Sequence, residues 1–343
     1  MAKKVYVGMS GGVDSSLSAA LLKEQGYEVT GVYMKNWSQD LPGFICPWKE
    51  DYQDAKRVAV QLGIDFKLYD FESQYRERVV DYMIREYKAG RTPNPDIMCN
   101  QEVKFKLFLE TALSDGADMI ATGHYVRTKA GQLLTGLDKN KDQSYFLYRV
   151  SKEALEKSLF PVGELSKPSV RERAKALGLA TADKPDSQGI CFVGKVGIKE
   201  FLLHELGPQA PGPIINQAGK EIGQHDGAIF YTIGQRHGLD VGGGLPYYVS
   251  RKDMQTNTIY VTTDLNDQSL WHDDVQLEDI HWIDAEPQAE KTYQVRLRYR
   301  GPLVDCTLDD KTLHLKDPQR GLAAGQSAVV YDGDVILGGG VIC

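Results

Sequence analysis

The sequence predicts an α/β protein whose open, mostly parallel sheet is followed by a β-rich C-terminal part. Within residues 4–150, short apolar runs alternate with longer amphipathic stretches, which is the pattern of β-α-β units. Beyond Gly207, short alternating runs are separated by Gly, Asn and Asp pairs, which is typical of antiparallel strands and turns. We therefore expect an α/β domain, a small mixed α/β connector domain and a C-terminal β-barrel. Their predicted limits are 1–196, 197–262 and 263–343.

Each predicted strand of the first domain has a helix beside it in the sequence. The predicted strands are VYVGM, VTGVYM, FKLYDF and DMIATG, and the predicted helices are Asp14–Gln25, Asp51–Leu62, Ser73–Lys88 and Gln101–Ser114. Two prolines in the segment Gly90–Asn100 predict a stiff loop between two helices, a loop that presents its side chains. Further helices are predicted at about Lys167–Leu177 and Ile198–Leu206.

Composition excludes several classes of protein. No apolar run among the 343 residues reaches the ~18–20 residues of a membrane helix, and the N-terminus lacks the apolar region of a signal peptide, so we expect a cytoplasmic protein. A net charge of −7 argues against coating nucleic acid through bulk charge. Residues 263–343 hold seven Lys and Arg against fifteen Asp and Glu, so the acidity is concentrated there. The five cysteines are widely spaced and do not predict a disulfide framework.

The segment VYVGMSGGVDSSLSAALL, residues 5–22, predicts an anion-binding site. An apolar strand leads through a Ser-Gly-Gly turn into a helix, whose first N–H groups are unpaired and lie at the positive end of the helix dipole. Gly11 and Gly12 let a ligand approach the backbone, and the hydroxyls of Ser10, Ser15 and Ser16 add donors. The spacing is neither that of a Walker loop nor that of a dinucleotide-binding loop. The structural alternative is a capped helix beside a simple turn.

The motif SGGVDS resembles the pyrophosphate loop of the ATP pyrophosphatases, which cleave ATP to AMP and pyrophosphate. The resemblance implies ATP with Mg²⁺ as cofactor, activation of an oxygen atom of the acceptor as an adenylate, and a place for Asp14 near the metal. No residues are assigned to a resident metal. The implied ATP-binding residues lie in the loop and after two later strands, at the sheet edge where such ligands bind. They are Gly8, Met9, Ser10, Gly11, Gly12, Val13, Asp14, Ser15, Met34 and Gly123.

Two cysteines narrow the choice of acceptor. Cys99, in NPDIMCN, precedes the helix predicted from Gln101, whose N-terminus would lower the pKa of the thiol, as would Lys104 and Lys106 if they face it. Cys191 lies in DSQGICF. Two loop thiols can carry and resolve sulfur by thiol–disulfide exchange. The alternative is that both are small buried apolar residues.

Seven further motifs resemble the bacterial tRNA-specific 2-thiouridylase family. In order they are RTPNPDIMCN, ATGHY, NKDQSYFL, LFPVGEL, DSQGICF, TIGQRHGL and GQSAVVYDGDVILGGG. The resemblance implies ATP-dependent replacement of the 2-oxo oxygen of the wobble uridine by sulfur in the tRNAs for Lys, Glu and Gln. It also implies two partners, tRNA and a sulfur donor that is a cysteine desulfurase or a sulfur relay protein. We expect a monomer that does not bind a membrane.

The same resemblance implies roles for individual residues. Cys191 receives sulfur as a persulfide, and Cys99 either attacks that persulfide to free hydrosulfide or resolves it, leaving a Cys99–Cys191 disulfide bond. The carboxylate of Asp96 serves as acid or base. Contacts with tRNA are implied for Asn94, Pro95, Asp96, His124, Lys141, Asp142, Gln143, Arg298, Tyr299 and Gln326.

Several alternatives stay open at this point. Arg296, Arg298 and Arg300 alternate, so a strand there would carry a basic stripe for phosphates, or an exposed face balanced by neighbouring acids. Cys46 is either a packed loop residue or a third thiol, which would permit an iron–sulfur cluster with Cys99 and Cys191. The chain can also be another ATP pyrophosphatase-type adenylating enzyme, or a non-catalytic protein that binds ATP and tRNA.

Overall fold

The computed structural model describes residues 2–43, 45–186, 197–239, 241–242 and 246–343. Cys191 and most of its motif lie outside these residues. The strands are β1 Lys4–Gly8, β2 Glu28–Lys35, β3 Asp65–Asp70, β4 Met119–Ala121, β5 Val126–Lys129, β6 Gln132–Thr135, β7 Ser158–Leu159, β8 Gly212–Ile215, β9 Glu221–His225, β10 Tyr248–Asp253, β11 Thr258–Thr262, β12 Trp271–Trp282, β13 Tyr293–Arg296, β14 Val304–Asp309, β15 Thr312–Arg320, β16 Ser327–Asp332 and β17 Val335–Ile342. The α-helices are α1 Val13–Glu24, α2 Trp48–Leu62, α3 Glu72–Tyr75, α4 Asp81–Lys88, α5 Pro95–Met98, α6 Phe108–Ser114, α7 Lys152–Glu156, α8 Lys167–Ala176 and α9 Ile198–Leu206.

The first domain contains a parallel sheet in the order β3-β2-β1-β4-β7. Successive residues of β1 point to opposite faces, so Val5 and Val7 join one apolar core and Tyr6 joins another. Helices cover both faces, and α1 and α8 pack together on one of them. The predicted α/β class is confirmed, and the carboxyl ends of β1, β2 and β4 meet at one edge of the sheet.

Cys99 lies on a helix, so the prediction that the whole of Gly90–Asn100 is a loop is wrong. Helix α5 begins at Pro95, continues through a π-helical segment at Cys99–Leu107 and runs on into α6. The side chain of Asn94 accepts a hydrogen bond from the Asp96 N–H, 3.2 Å away, and so caps the helix. Proline is favoured at the first helical position because its missing N–H has no partner there anyway. The start of this helix is therefore six residues earlier than Gln101.

Another π-helical segment, Arg76–Val80, joins α3 to α4 and makes one continuous helix over the range predicted from Ser73. The connector domain pairs four strands in the order β10-β11-β8-β9 and carries α9, which has the predicted bounds. None of the helices that the structure describes is long and apolar enough to cross a membrane.

The C-terminal strands form the predicted barrel. They follow the order β12-β15-β14-β13-β16-β17, and β12 closes the ring by pairing with β17. The hairpin β5-β6 of the first domain extends this sheet, because Leu134 pairs with Val335 and Leu133 pairs with Ile336. The first domain and the barrel are therefore joined by backbone hydrogen bonds as well as by side-chain packing.

The basic stripe predicted on a single strand is not formed. Strand β13 ends at Arg296, and Arg298 and Arg300 lie beyond it. Arg300 adopts a left-handed backbone with φ of 59°, and Gly301 and Pro302 follow, so extended structure cannot continue through this point. Arg296 instead stacks over the Tyr331 ring at 5.4 Å, away from the other two arginines' segment.

Candidate functional site

The turn between β1 and α1 is a tight phosphate-type loop. Gly11 has a φ of 76°, and a Cβ atom built on it would lie 2.4 Å from the Asp51 carbonyl oxygen, so only glycine fits. Gly12 precedes α1 with an extended backbone and no side chain to cap the helix. Ser15 braces the loop, because its hydroxyl oxygen accepts from the Ser10 N–H at 3.1 Å and donates to the Gly12 carbonyl at 3.1 Å. The start of α1 is therefore shaped to present backbone N–H groups to an anion.

The other predicted ATP-binding residues converge on the same edge of the sheet. A Cβ on Gly8 would lie 2.9 Å from the Met34 Cε, so β1 and β2 touch at this point. A Cβ on Gly123 would lie 2.7 Å from the Ser15 backbone nitrogen. Gly123 thus lets the segment after β4 pack directly against the first turn of α1. The structure brings these residues together, and their binding of ATP stays a prediction.

An ion cluster sits beside the first turn of α1. The Lys167 Nζ lies 2.7 Å and 2.8 Å from the two carboxylate oxygens of Asp14, and 2.8 Å from the Asp186 Oδ1. The Tyr125 hydroxyl donates to the Asp14 Oδ1 at 2.6 Å, and burial together with the Asp14 charge raises the pKa of that phenol. Lys167 therefore neutralises the Asp14 carboxylate, and the neutral Tyr125 phenol adds a hydrogen bond to it.

Asp186 accepts from three cations. Besides Lys167, it binds the Lys141 Nζ at 2.7 Å and the Arg171 guanidinium at 2.7 Å. Burial alone would raise the pKa of Asp186, but the bonds from Lys141 and Lys167 hold it at about 2. Sequence reasoning did not select Lys167, Arg171 or Asp186 as site residues. The available signal was a lysine at the first position of a helix, where the helix dipole disfavours a cation.

Asp96 and His124 both lie near the ammonium of Lys104. Burial raises the pKa of the Asp96 carboxyl, and the positive charge of Lys104 opposes that shift. Burial lowers the pKa of His124 well below its usual range, and Lys104 lowers it further, so the imidazole is neutral at pH 7. The His124 Nδ1 lies 2.8 Å from the Thr122 hydroxyl. A buried carboxyl group with a raised pKa is suited to proton transfer.

Cys99 is buried rather than presented on a loop, with 3% of its surface exposed. It shares an apolar core with Cys46, which is also buried. The predicted effect of Lys106 on the thiol is not supported, because its Nζ pairs with Glu102 at 3.0 Å on the exposed side of the helix. Cys191 lies outside the described residues, so the meeting of the two thiols stays a prediction. Within the described part of the chain, no group of three or more His, Cys, Asp or Glu side chains is arranged to hold a metal ion.

The predicted tRNA contacts at 141–143 are engaged inside the protein. Lys141 pairs with Asp186, as described above. The Asp142 carboxylate is buried and accepts from the Gly136 N–H at 2.9 Å and from the Ser144 hydroxyl at 2.9 Å. The Gln143 Oε1 accepts from the Tyr125 N–H at 2.9 Å. Residues 141–143 therefore connect the ion cluster to the hairpin β5-β6.

Gln326 holds the proline-rich segment before α5. Its Nε2 donates to the Thr92 carbonyl at 2.7 Å, and the Thr92 N–H donates to the Ala324 carbonyl at 2.7 Å. The Thr92 hydroxyl also lies 3.0 Å from that of Thr232 in the connector domain. All three domains therefore meet two residues before Asn94 and Pro95, where tRNA contacts are predicted.

Arg298 and Tyr299 have different surroundings. Arg298 is exposed and lines a cavity of about 390 Å³ between the connector domain and the barrel, together with Gln326 and Gln235. The Tyr299 ring packs on the Phe146 ring with 4.3 Å between centroids. Arg298 is therefore available to an external ligand, whereas Tyr299 is partly committed to the core.

Three family models match successive parts of the chain. They are described as the tRNA methyl transferase HUP domain, over residues 3–195, the tRNA methyl transferase PRC-barrel domain, over residues 199–263, and the aminomethyltransferase beta-barrel domain, over residues 272–342. The first model alone covers more than half of the chain.

Full-length relatives carry a more specific description. A protein of Geobacillus thermodenitrificans is 48% identical over 99% of this chain and 94% of its own length. One of Methylobacillus flagellatus is 48% identical over 100% and 99%, and one of Shigella dysenteriae is 49% identical over 99% and 97%. Each is named a tRNA-specific 2-thiouridylase MnmA. The resemblance seen in the motifs is confirmed, and this chain belongs to the tRNA-specific 2-thiouridylase family.

Proposed function

We propose that this protein is an ATP-dependent sulfurtransferase that replaces the 2-oxo oxygen of the wobble uridine in the tRNAs for Lys, Glu and Gln. The observation that carries the proposal is the near-complete match to relatives named for 2-thiouridylation. The phosphate-type loop of Gly11 and Gly12 and the presence of Cys99 and Cys191 in the chain support it. Transfer of sulfur requires both an activated oxygen and a sulfur nucleophile. The loop would bind the ATP that activates the oxygen, and the cysteines would provide the nucleophile.

The first step activates the oxygen. The uracil C2 is a poor electrophile and must be activated before sulfur can attack it. Its O2 attacks the α-phosphorus of ATP, and pyrophosphate leaves. The oxygen can then depart from C2 as part of AMP, which is a good leaving group. The start of α1 holds the phosphates, with Gly8, Met9, Ser10, Val13 and Ser15 in or beside the loop and Met34 and Gly123 along the same edge. Mg²⁺ near Asp14 supplies charge neutralisation of the phosphates when it is bound.

The second step delivers sulfur. The terminal sulfur of a Cys191 persulfide attacks C2 and displaces AMP, and Cys99 then attacks the Cys191 sulfur. This attack breaks the bond between the two sulfur atoms of the former persulfide, so one sulfur stays on C2 as the thiocarbonyl of 2-thiouridine. A Cys99–Cys191 disulfide forms, and a dithiol reductant must reopen it. In the other order Cys99 attacks the persulfide first, and the hydrosulfide released by that attack reacts with the adenylate. Asp96, whose pKa burial raises, exchanges protons during the substitution.

The wobble base reaches the site by leaving the anticodon stack, as bases read in single-stranded loops do. We assign its contacts to Asn94, Pro95, Asp96 and His124 next to the α5 helix start and β4. The backbone contacts fall to Arg298, Tyr299 and Gln326 on the barrel side, and to the segment 141–143. The sulfur donor is a desulfurase or a relay protein, and the chain acts as a monomer with domain limits at 1–196, 197–262 and 263–343.

The proposal is tested by incubating the protein with ATP, Mg²⁺, a persulfide donor, a dithiol reductant and tRNA for Glu, followed by nucleoside analysis. Wild type should form 2-thiouridine and release one AMP and one pyrophosphate per thiolated base. Cys99→Ala and Cys191→Ala should each lower thiolation roughly 100-fold or more, because the reaction needs both sulfur atoms. Cys343→Ser is the matched control, since Cys343 is exposed and is assigned no chemistry.

Three outcomes would overturn parts of this assignment. Thiolation that persists in Cys99→Ala would remove the two-thiol mechanism. Methylated rather than thiolated uridine, in a parallel reaction with a labelled methyl donor, would favour the description carried by the family models. Binding of ATP and tRNA without release of pyrophosphate would leave a non-catalytic protein.

A further inference from the structure

Lys167 is a buried cation next to the phosphate-type loop. Its side chain is 10% exposed, and its Nζ contacts both oxygens of Asp14 and one oxygen of Asp186 at 2.7 to 2.8 Å. Asp14 is the second residue of α1, directly after the loop. The Lys167 ammonium therefore contacts the side chain of a residue in the first turn of α1, the turn whose unpaired N–H groups would hold an anion.

The position of Lys167 is costly for a residue with a purely structural role. It is the first residue of α8, where the positive end of the helix dipole disfavours a cation, and burial of an ammonium costs free energy even when it is paired. A second cation, Lys141, and a third, Arg171, share the carboxylate of Asp186 with it. Asp138 accepts from the Lys167 backbone N–H at 2.9 Å and is a third carboxylate here, so the charges balance and a bound phosphate would compete with a carboxylate for the Lys167 ammonium.

The hydrogen bonds of Lys167 leave room for exchange. An ammonium has three N–H groups, and two of those on Lys167 are directed to the same carboxylate, that of Asp14. One of them can turn to a phosphate oxygen while the other keeps Asp14 and the third keeps Asp186. A phosphate at the start of α1 would also be repelled by Asp14 if Lys167 did not neutralise that carboxylate.

We infer that Lys167 is a phosphate-binding residue of the ATP site, that it contacts the pyrophosphate end of the nucleotide, and that Asp186 positions its ammonium. This inference rests on the proposed use of ATP. We do not expect Lys167 to contact adenine or ribose. Its ammonium pairs with Asp14 at the start of α1 and does not lie along the strand ends at Met34.

The test measures binding of ATP, AMP and pyrophosphate separately, by calorimetry without tRNA or sulfur donor. Lys167→Gln should weaken binding of ATP and of pyrophosphate roughly 10- to 100-fold, as expected for loss of a charge-assisted hydrogen bond, and should leave binding of AMP within about twofold. Lys175→Gln is the matched control. Lys175 lies on the same helix but is exposed and pairs with Asp183 at 2.8 Å, so all three affinities should stay at the wild-type value.

Folding and charge are separated by two further variants. Lys167→Arg keeps the charge and should retain ATP affinity better than Lys167→Gln, and thermal melting without ligand establishes that each variant is folded. Asp14→Asn combined with Lys167→Gln removes the anion that Lys167 neutralises. The affinity of this double variant for metal-free ATP, measured in EDTA, should stay below that of wild type, because the phosphate contact of Lys167 is missing.

Any of three results would overturn the inference. They are equal weakening of AMP and ATP in Lys167→Gln, unchanged ATP affinity in that variant, and full recovery of metal-free ATP affinity in the double variant, which would reduce Lys167 to a counter-ion of Asp14. A wild-type protein that shows the expected ATP and AMP pattern but never thiolates tRNA would remove the proposed function and leave this inference standing. Thiolation by wild type together with unchanged ATP affinity in Lys167→Gln would remove the inference alone.

Discussion

The phosphate-loop edge of the first domain and the barrel-facing side of the molecule both carry residues expected to contact ligands, but they hold them differently. At the edge, Gly123 packs against Asp14, Gly11 packs against the backbone of Asp51, and Asp14 belongs to a charged cluster. On the barrel-facing side, Gln326 is bonded to the segment before α5, and Arg298 is exposed beside a cavity. The first region therefore lies within a single domain, and the second is a junction between domains.

The difference follows from how each region is built. Parallel strands place their carboxyl ends at one edge, so residues after β1, β2 and β4 must meet there whatever the loops do. The barrel-facing residues lie in loops of different domains, and their positions depend on hydrogen bonds such as that from Gln326 to Thr92. Substitutions should therefore affect nucleotide binding directly in the first region and tRNA binding through domain positions in the second.

The largest effect should come from Gly11→Ala. Its backbone has a φ of 76°, and the new methyl would lie 2.4 Å from the Asp51 carbonyl oxygen, so the loop must move. Displacement of about 1 Å at a binding loop is enough for a roughly 100-fold loss, and we expect that loss in ATP affinity. Calorimetry with ATP and the thiolation assay measure it.

Gly26→Ala is the control for Gly11→Ala. Gly26 follows α1 with a φ of 85°, and no atom lies within 4 Å of its Cβ position, so substitution costs only backbone strain of about 1–2 kcal/mol. We expect a lower free energy of unfolding and unchanged ATP affinity. Equal loss of ATP affinity in both variants would show that strain, and not the shape of the loop, accounts for the effect.

How far the sequence predicts this molecule differs between the same two regions. Periodicity and the position of SGGVDS predict the parallel sheet, the loop and its neighbours, because these depend on local pattern and on the geometry of β-α-β units. The prolines predict a loop through Gly90–Asn100 and so miss the start of α5, because a proline after a capping asparagine favours a helix start. The buried position of Cys99 follows from that helix and from packing of distant segments.

Long-range pairing explains the other differences. Nothing near Lys167 in the sequence points to Asp14, since the two residues are 153 positions apart and meet only when α8 packs on α1. The pairing of β6 with β17 joins segments that are even further apart in the sequence, and no local pattern predicts it. Alternation alone predicted the arginine stripe, and the left-handed backbone at Arg300 ends it.

An intermediate effect should come from Gln326→Ala, which removes the hydrogen bond to the Thr92 carbonyl. Loss of one such bond lowers the free energy of unfolding by about 1 kcal/mol, and urea unfolding without tRNA measures it. The segment before Asn94 should also be less well positioned, so we expect the KM for tRNA to rise severalfold while ATP affinity is unchanged.

Gln319→Ala is the matched control on the barrel-facing side. The Gln319 side chain lines the same cavity but donates only to carbonyls of its own segment, those of Asp317 and Pro318. We expect little change in stability or in the KM for tRNA. A Gln326→Ala variant with wild-type stability and a raised KM would mean that only the proposed direct contact of Gln326 with tRNA is lost, and would contradict its additional role in positioning the segment before Asn94.

The smallest effect should come from Asp334→Asn, which tests how the barrel is joined to the hairpin β5-β6. Asp334 accepts from Lys139 and from the Thr135 hydroxyl, and these bonds lower the pKa of its carboxyl to about 2 from 3.8. Because the folded pKa is the lower one, the stabilisation is present above about pH 4 and is lost as the pH falls towards 2. Asp334 is exposed, so the variant should lose at most about 1 kcal/mol near neutral pH and nothing at the acid end.

Hydrogen exchange shows whether that loss lies at the domain junction. Asp334→Asn should speed exchange of the amides of β6, which pair with β17 beside the substituted residue. Asp332→Asn is the control. Asp332 lies beside the same turn but pairs at 2.7 Å with Lys291, an exposed residue of the barrel itself, and not with the hairpin. Faster exchange of β6 in both variants would mean that the hairpin responds to the barrel as a whole. Faster exchange in Asp334→Asn alone would locate the connection at this one barrel carboxylate, which binds Thr135 of the hairpin that directly follows Tyr125, a partner of Asp14 at the phosphate-loop edge.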